Sequence, residues 1–488
     1  MSADINNPPM RCTHCGTRPV LVIPVRTKPA EREEDMEHFD LLIKNATICT
    51  MDSDMSVIQH GYVAVKGSDI VKIAEGQVPE GTTASKTIDA SGQVLFPGFI
   101  DTHTHIFQSF LKGLGADHRL IEWLNRSALP YGALMTPYQH RLAAQLTCME
   151  AIRSGCTTLC EFFYTDQNPE LADGCIAGME DTGIRSVFIR TFQDRGEDYG
   201  MPACMIQPAD KAMEEVSRLR ETYADRGDML SIWTGPDVTW STSREGYETM
   251  LEYCLSENVR YAMHIDETEV DDDMCQRNYG QDIVPMLDEM GFLTDKMLGV
   301  HCVNLTSDEI RRFADHGVSV SYNPVSNMYL GSGAAPIREC LDAGVNVSVG
   351  TDGAASNNTT DYIESLKFAA LIQKGFTRDA ARITAPQTIS MATNGGAKAV
   401  GMEARLGSIE TGKRADMFLF EPRKLKSIPM HDPYATAVYS SSQENVAATI
   451  VNGKVVYQDG RFACGIDEHD LSNKIDAELA KLRTQINA

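Results

Sequence analysis

One unit recurs eight times between Phe96 and Met402: a short apolar, β-branched run, then a stretch of helical periodicity. The runs are VLFPGFIDTHTH, CTTLCEFFY, IRSVFIRTF, MLSIWTGPD, VRYAMHIDE, MLGVHCVN, GVSVSYNP and VNVSVGTD. Apolar strands that alternate with helices read as a parallel sheet covered by those helices. Eight such units predict closure into an α/β fold of the (β/α)8 TIM barrel type over residues 96–402. Helix signals fit the pattern, since Thr136 can cap, Pro137 suits a first turn and Gly155 closes HRLAAQLTCMEAIRSG.

Both flanks of this region read differently. In residues 39–95 the runs LLIKNATICTM, YVAVKG and DIVKIAEG alternate with Gly, Asp and Ser turns, a signature of short antiparallel strands. The pattern returns in residues 403–465, in ADMFLFE and in ATIVNGKVVYQDG, where Asn452-Gly453 between two apolar runs marks a hairpin. A small β-sandwich domain formed from both ends of the chain is therefore expected beside the barrel. Residues 1–38 are Pro-rich, then charged, and read as an N-terminal extension, a tail or an arm onto a neighbouring subunit. Residues 466–488 read as a C-terminal helix.

Charge narrows the partners. With 44 Lys and Arg against 68 Asp and Glu the formal charge is -24, which repels phosphate backbones and anionic lipid, so no nucleic acid is expected. No run approaches the roughly 20 apolar residues of a membrane span. The start, MSADINNPPMRCTHCG, lacks the layout of a secretory signal, and the expectation is a cytoplasmic protein with no membrane partner. Thirteen cysteines are scattered along the chain, several inside apolar runs such as Cys156 and Cys160, which reads as reduced thiols. Cys12 and Cys15 form a CxxC pair with no second pair to complete an intramolecular zinc knuckle.

The polar residues able to do chemistry fall at the carboxyl ends of the strands, the face on which barrels build their sites. The first strand ends in His103-Thr104-His105, whose two imidazoles share one side because side chains alternate along an extended chain. The fifth ends in His264 with Glu267 beyond it, the sixth in His301, and Asp352 follows the eighth. Four imidazoles and a carboxylate on one barrel face form a nitrogen and oxygen set suited to one divalent ion, zinc or, alternatively, iron(II).

In this order, FPGFIDTHTH, YAMHIDE, GVHCVN and VGTDGAASNN resemble the amidohydrolase superfamily, in the branch of triazine hydrolases and adenosine-analogue deaminases. The resemblance covers nearly all the chain after residue 40 and includes SNMYLGSGAAPIRECLDAG and LGSIETGKRADMFLFE, the latter being the segment that in this family leads out of the barrel. It implies His103, His105, His264 and Asp352 as metal ligands, with His301 as a near ligand or a contact to substrate and water. Asp352 would accept the proton of the attacking water, and Glu267, three residues past His264, would protonate the ring nitrogen. Gln108 and Trp123 fall where triazine hydrolases place substrate-facing side chains; Arg190 and Asn327 are further candidates. The resemblance also implies a small heterocyclic substrate and a homo-oligomer, dimer or tetramer.

Two departures bear on the substrate. Deaminases of adenosine-like thioethers carry a ribose-binding glutamate where Tyr131-Gly132 stands, and a His after the Gly-Pro of strand four where Asp237 stands. Both favour a free base or triazine-like ring over a nucleoside. The expected activity is hydrolytic deamination of a purine, pterin, pyrimidine or s-triazine. The alternatives are a chlorohydrolase of a halogenated triazine and an S-adenosylhomocysteine or methylthioadenosine type of nucleoside deaminase. A non-catalytic relative would have lost ligands. A hydantoinase-like dinuclear site would need a lysine at the end of strand four, which reads TGPDVTW.

Overall fold

The computed structural model describes residues 37–486. Five strands open it: β1 His38–Cys49, β2 Val57–Lys66, β3 Asp69–Glu75, β4 Thr83–Asp89 and β5 Val94–Pro97. The chain then runs through β6 Phe99–Thr104, β7 Cys156–Phe163, β8 Arg185–Phe192, β9 Leu230–Pro236, β10 Tyr261–Ile265, β11 Met297–His301, β12 Ser319–Tyr322 and β13 Asn346–Val349. These eight pair in parallel in sequence order, with helices in the connections. Thr102 of β6 joins the two ends: its hydroxyl lies 2.9 Å from Ser348 Oγ and donates to Val349 O at 3.1 Å. The result is the (β/α)8 barrel.

The chain returns in β14 Met417–Phe420, β15 Val446–Val451, β16 Lys454–Gln458 and β17 Arg461–Phe462, and ends in a helix, Glu468–Ile486. A nine-stranded sheet combines both ends in the order β17-β16-β15-β14-β5-β1-β2-β3, with β4 beside β1. Alternation along the strands explains its seat. Leu95, Met417 and Leu419 point into the sheet's own core with Ile43, Val63 and Ile450, whereas Phe96, Phe418 and Phe420 face the barrel. There Phe418 stacks on Phe96 at 5.5 Å and meets Phe99 at 4.6 Å. Asn452 and Gly453 both take positive φ, 50° and 79°, the hairpin geometry that Asn-Gly favours.

The structure divides the first apolar run at Gly98. Val94–Pro97 belongs to the small sheet and Phe99–Thr104 to the barrel. A Cβ on Gly98 would lie 2.0 Å from Thr157 Oγ1, so only glycine lets the chain pass so near β7. The helix Pro137–Arg153 has the anticipated start, a capping box between Thr136 and Gln139, and Gly155 follows its end at φ 89°. Beneath the barrel, Arg185 at the foot of β8 is fully buried and bidentate to Asp416, at 3.0 and 3.1 Å. No described cysteine is in a disulfide, and no described helix is long and apolar enough to cross a membrane. The Cys12 and Cys15 pair lies outside the described residues.

Candidate active site

Four strand ends deliver the polar cluster. His103 is the penultimate residue of β6 with His105 just past its end, His264 lies in β10, His301 ends β11, and Asp352 stands three residues beyond β13. Local backbone geometry aims them. Asp352 N donates to His103 O at 2.8 Å, tying the eighth connection to the first strand. Asp266, His301, Cys302 and Asp352 all take positive φ, between 46° and 70°, a left-handed conformation that costs a non-glycine residue about 1–2 kcal/mol. Such strain persists where the surroundings enforce it, as at functional sites.

The hydrogen bonds assign the ring protons. Phe162 O lies 2.8 Å from His105 Nδ1, and Asp237 O 2.7 Å from His264 Nδ1. A carbonyl only accepts, so both Nδ1 atoms carry the proton and both Nε2 atoms present lone pairs. Those two Nε2 atoms are 3.3 Å apart, and neither ring nitrogen of His103 has a partner. Asp352 Oδ1 stands 3.5 Å from Nε2 of both His103 and His105.

Burial holds His105 and His301 down to about 3, neighbouring histidines adding to the effect, and pushes His264 well below its ordinary range. Burial opposes the charge of Asp352, yet contact with His103, then His301 and His105, keeps its carboxyl well below the usual carboxylate range. Neutral imidazoles whose lone pairs converge beside an ionised carboxylate repel one another unless a cation lies between them. Ligand atoms of His103, His264 and His301 lie within 4.8 Å of one another, as do those of His103, His105 and Asp352. The donor set fits a divalent ion.

Glu267 sits beside this set. Its amide donates to Asp271 Oδ2 at 2.8 Å, which fixes the turn after β10, and its Oε2 is 3.6 Å from His301 Nε2. Burial first, then Asp352 and Asp271, raise its carboxyl well above the usual range, which favours its protonated form. On its other side His301 receives Asn327 Nδ2 at 2.8 Å and Asn323 Nδ2 at 3.3 Å on Nδ1, which leaves the ring proton on Nε2, towards Glu267 and Asp352.

A cavity opens over these groups, lined by His105, His264, Glu267, His301 and Asp352. Its remaining walls are mostly apolar: Leu120, Trp123, Leu124, Leu129, Met201, Val238, Trp240 and Leu330, with Gln108, Tyr164, Asp237 and Ser356. Gln108 and Trp123 thus stand on the wall. Gln108 Nε2 donates to Tyr164 Oη at 3.1 Å, and Trp123 Nε1 to Ala355 O at 3.3 Å. Gly353 makes room for this glutamine, since a Cβ there would lie 1.9 Å from its Oε1. Asn327 is not on the wall but behind His301. Arg190 is not brought to the cavity; its guanidinium bonds Gln207 Oε1 and Thr191 O, both at 2.9 Å, and faces Asp166 at 3.6 Å. Tyr164, Met201 and Trp240 are cavity residues that sequence reading passed over. Only Tyr164 carried a signal, its place directly after β7.

Comparison with known proteins agrees with this geometry. The Amidohydrolase family pattern matches residues 94–456. The 5'-deoxyadenosine deaminase of Methanococcoides burtonii is 32% identical over 453 residues, spanning 92% of this chain and 99% of the relative. The 5-methylthioadenosine/S-adenosylhomocysteine deaminase of Pelotomaculum thermopropionicum is 31% identical over 444 residues, 91% and 98% of the two chains. Among solved structures, an adenosine deaminase from Xanthomonas campestris with bound zinc superposes with a TM-score of 0.84 at 26% identity, covering 92% of this chain and 99% of that one. The zinc complex of atrazine chlorohydrolase from Arthrobacter aurescens TC1 gives 0.83 at 25% identity, covering 90% and 100%. A (β/α)8 barrel with these converging ligands, matched along three quarters of its length, belongs to the amidohydrolase family.

Proposed function

We propose that this chain is a metal-dependent aminohydrolase that removes the amino group from a nitrogen heterocycle, with an adenine-type purine as the best fit. One observation carries the reading: two buried carboxyls, Glu267 pushed up and Asp352 held down from the usual carboxylate range, flank the same imidazole, His301, at the floor of a cavity walled by two tryptophans. Two carboxyls driven to opposite protonation states divide the acid and base roles between them. His103, His105, His264 and Asp352 would hold the ion, zinc by analogy with the related structures. Such an ion supplies a water acidic enough to attack at neutral pH.

The protein's own groups manage the protons. Asp352 takes one from the attacking water, Glu267 delivers its own to the ring nitrogen beside the carbon under attack, and the Nε2–H of His301 steadies the incoming oxygen. The proton on Asp352 then passes to the leaving amino group, and the hydroxyl proton of the tetrahedral centre returns to Glu267 as the carbonyl forms. Water adds, ammonia departs, and the ring keeps a carbonyl. The curated relatives are deaminases of adenosine analogues, which supports this leaving group and admits a nucleoside as well as a free base. Likeness to the atrazine chlorohydrolase favours chloride as a second leaving group to test.

The cell compartment and assembly follow as part of this proposal. Buried free thiols such as Cys156 and Cys160 suit the cytoplasm. Exposed Phe368, Leu371 and Phe376 along the helix Tyr362–Thr377 suit a homo-oligomer. The test is release of ammonia from adenine, adenosine, guanine, cytosine, melamine and a pterin by enzyme of known metal content, with a chlorotriazine followed for chloride. Ammonia from a purine is expected. Chloride without ammonia from any amine would overturn the deaminase reading.

A further inference from the structure

Asp237 is a carboxylate without a donor. It follows Pro236 at the end of β9, is 5% exposed, and lines the cavity beside Tyr164, Val238 and Trp240. Its backbone is fully used: the amide donates to Phe192 O at 2.9 Å, and the carbonyl takes the proton of His264 Nδ1. Its side chain makes no hydrogen bond within the described protein. The nearest nitrogen, His264 Nδ1, stands 3.9 Å from Oδ1, and its single proton already belongs to the Asp237 carbonyl. Nor does an arginine or lysine line this cavity.

A buried carboxyl group with no partner costs several kcal/mol unless something completes it. Other buried carboxyls near the site have donors, Asp101 from Thr351 N and Oγ1 and Asp271 from Glu267 N and Thr268 N, while Asp266, which has none, does not line the cavity. Asp237 alone of these is directed to the space that the substrate fills. Tyr164, which also lines the cavity, is its complement. Gln108 already donates to the Tyr164 oxygen, so the phenol's own proton is free for an acceptor on the ligand.

We propose that Asp237 is a specificity-determining residue that accepts a hydrogen bond from the substrate. The substrate class is thereby an amino-heterocycle carrying a second N–H or O–H donor, remote from the amino group that is lost. The donor has two possible sources, a ring N–H of a free base or a hydroxyl of a sugar substituent. The inference rests on the aminohydrolase reading and adds the group that selects among its substrates.

The test compares kcat/KM for four compounds in the metal-loaded wild type, Asp237→Ala and Asp237→Asn. Adenosine against 2',3'-dideoxyadenosine reads a sugar hydroxyl, and adenine against 9-methyladenine reads a ring N–H. In the wild type the donor-bearing member of one pair is preferred. In Asp237→Ala that preference falls by roughly three- to tenfold, within the range for a single hydrogen bond. Asp237→Asn keeps the shape, and a fall there carries the same meaning if the alanine variant does not fold. Metal content is measured in each variant, because a displaced His264 would depress all four compounds alike.

Both preferences staying within twofold of wild type, at normal metal content, would overturn the proposal. If the wild type releases ammonia from none of the four, the aminohydrolase reading is what fails. Calorimetric binding of the same four compounds then decides Asp237 by itself: the donor preference in affinity falls in Asp237→Ala, or it does not and the proposal is wrong.

Discussion

Arg185→Met tests the bond between barrel and small sheet. Arg185 and Asp416 side chains are 1% and 3% exposed, and the guanidinium grips both carboxylate oxygens. Its remaining nitrogen reaches the Asp228 carbonyl and, at 3.0 Å, the Asp228 carboxylate. Methionine replaces the stem and none of the five donors. Asp416 then keeps only Asn452 N, at 2.7 Å on Oδ1, and its other oxygen is left buried and uncompensated.

Breaking a buried pair from one side costs ~3–5 kcal/mol. In a chain of this length, with roughly 2 cal/mol/K of unfolding entropy per residue, that lowers Tm by about 3–5 °C. Replacing both partners, Arg185→Met with Asp416→Leu, removes the orphaned charge, so the double variant recovers at least ~1 kcal/mol of the sum of the two single losses. The assay is urea unfolding of metal-loaded protein followed by both fluorescence and circular dichroism. The pair lies on the barrel face away from the cavity, so kcat per bound metal should match wild type. A single-variant loss under ~1 kcal/mol, or strictly additive losses, would refute the reasoning.

Further outcomes are expected. Glu267→Gln keeps its metal and loses a factor of about 10²–10⁴ in kcat, the span of a general acid; full activity would remove Glu267 from the chemistry. His264→Ala loses bound metal, read by elemental analysis, and an unchanged content would sink the ligand set. Stripping the metal with chelator lowers Tm, and restoring the ion at a hundred times its Kd returns ~2.7 kcal/mol; a Tm indifferent to the ion contradicts a site of converging lone pairs. His140, buried in the helix Pro137–Arg153, is held neutral to about 3 by burial, whereas unfolded histidine titrates near ~6.5. Its contribution is therefore whole above the unfolded value and fades as pH falls towards the folded one, at up to ~1.4 kcal/mol per pH unit. His140→Gln should flatten the stability profile between pH 6 and 4 by about one proton; identical slopes would refute this.

How much of this was legible in the sequence depended on where each residue stands. Barrel strands are buried on both faces, so they appear as apolar runs, and β7 and β8 are buried at every position. Histidines and acids stood out against those runs because a barrel brings strand ends together whatever its loops do. The boundary at Gly98 left no such mark, since β5 and β6 are equally buried and form one continuous run, and a tertiary contact with Thr157 marks the division. Arg190 shows the limit of strand-end reasoning: its position was read correctly, but Asp166 and Gln207 draw the side chain aside. Trp240 and Met201 reach the cavity from long connections, whose return path no local periodicity encodes. At Tyr131-Gly132, Gly132 packs so closely that a Cβ would lie 2.8 Å from Thr165 Cγ2.

The two-ended sheet sets a timetable for synthesis. β5 must wait for β14, its antiparallel neighbour, which leaves the ribosome about 320 residues later; at roughly 5–20 residues per second the delay is tens of seconds. Throughout it, the outer edge of Val94–Phe96 has no partner, while β6, one residue further on, already carries His103, with His105 just past it. A nascent chain in this state exposes a sheet edge of the kind that recruits other strands. Slowing translation between residues 100 and 417 should therefore lower soluble yield without altering the finished protein.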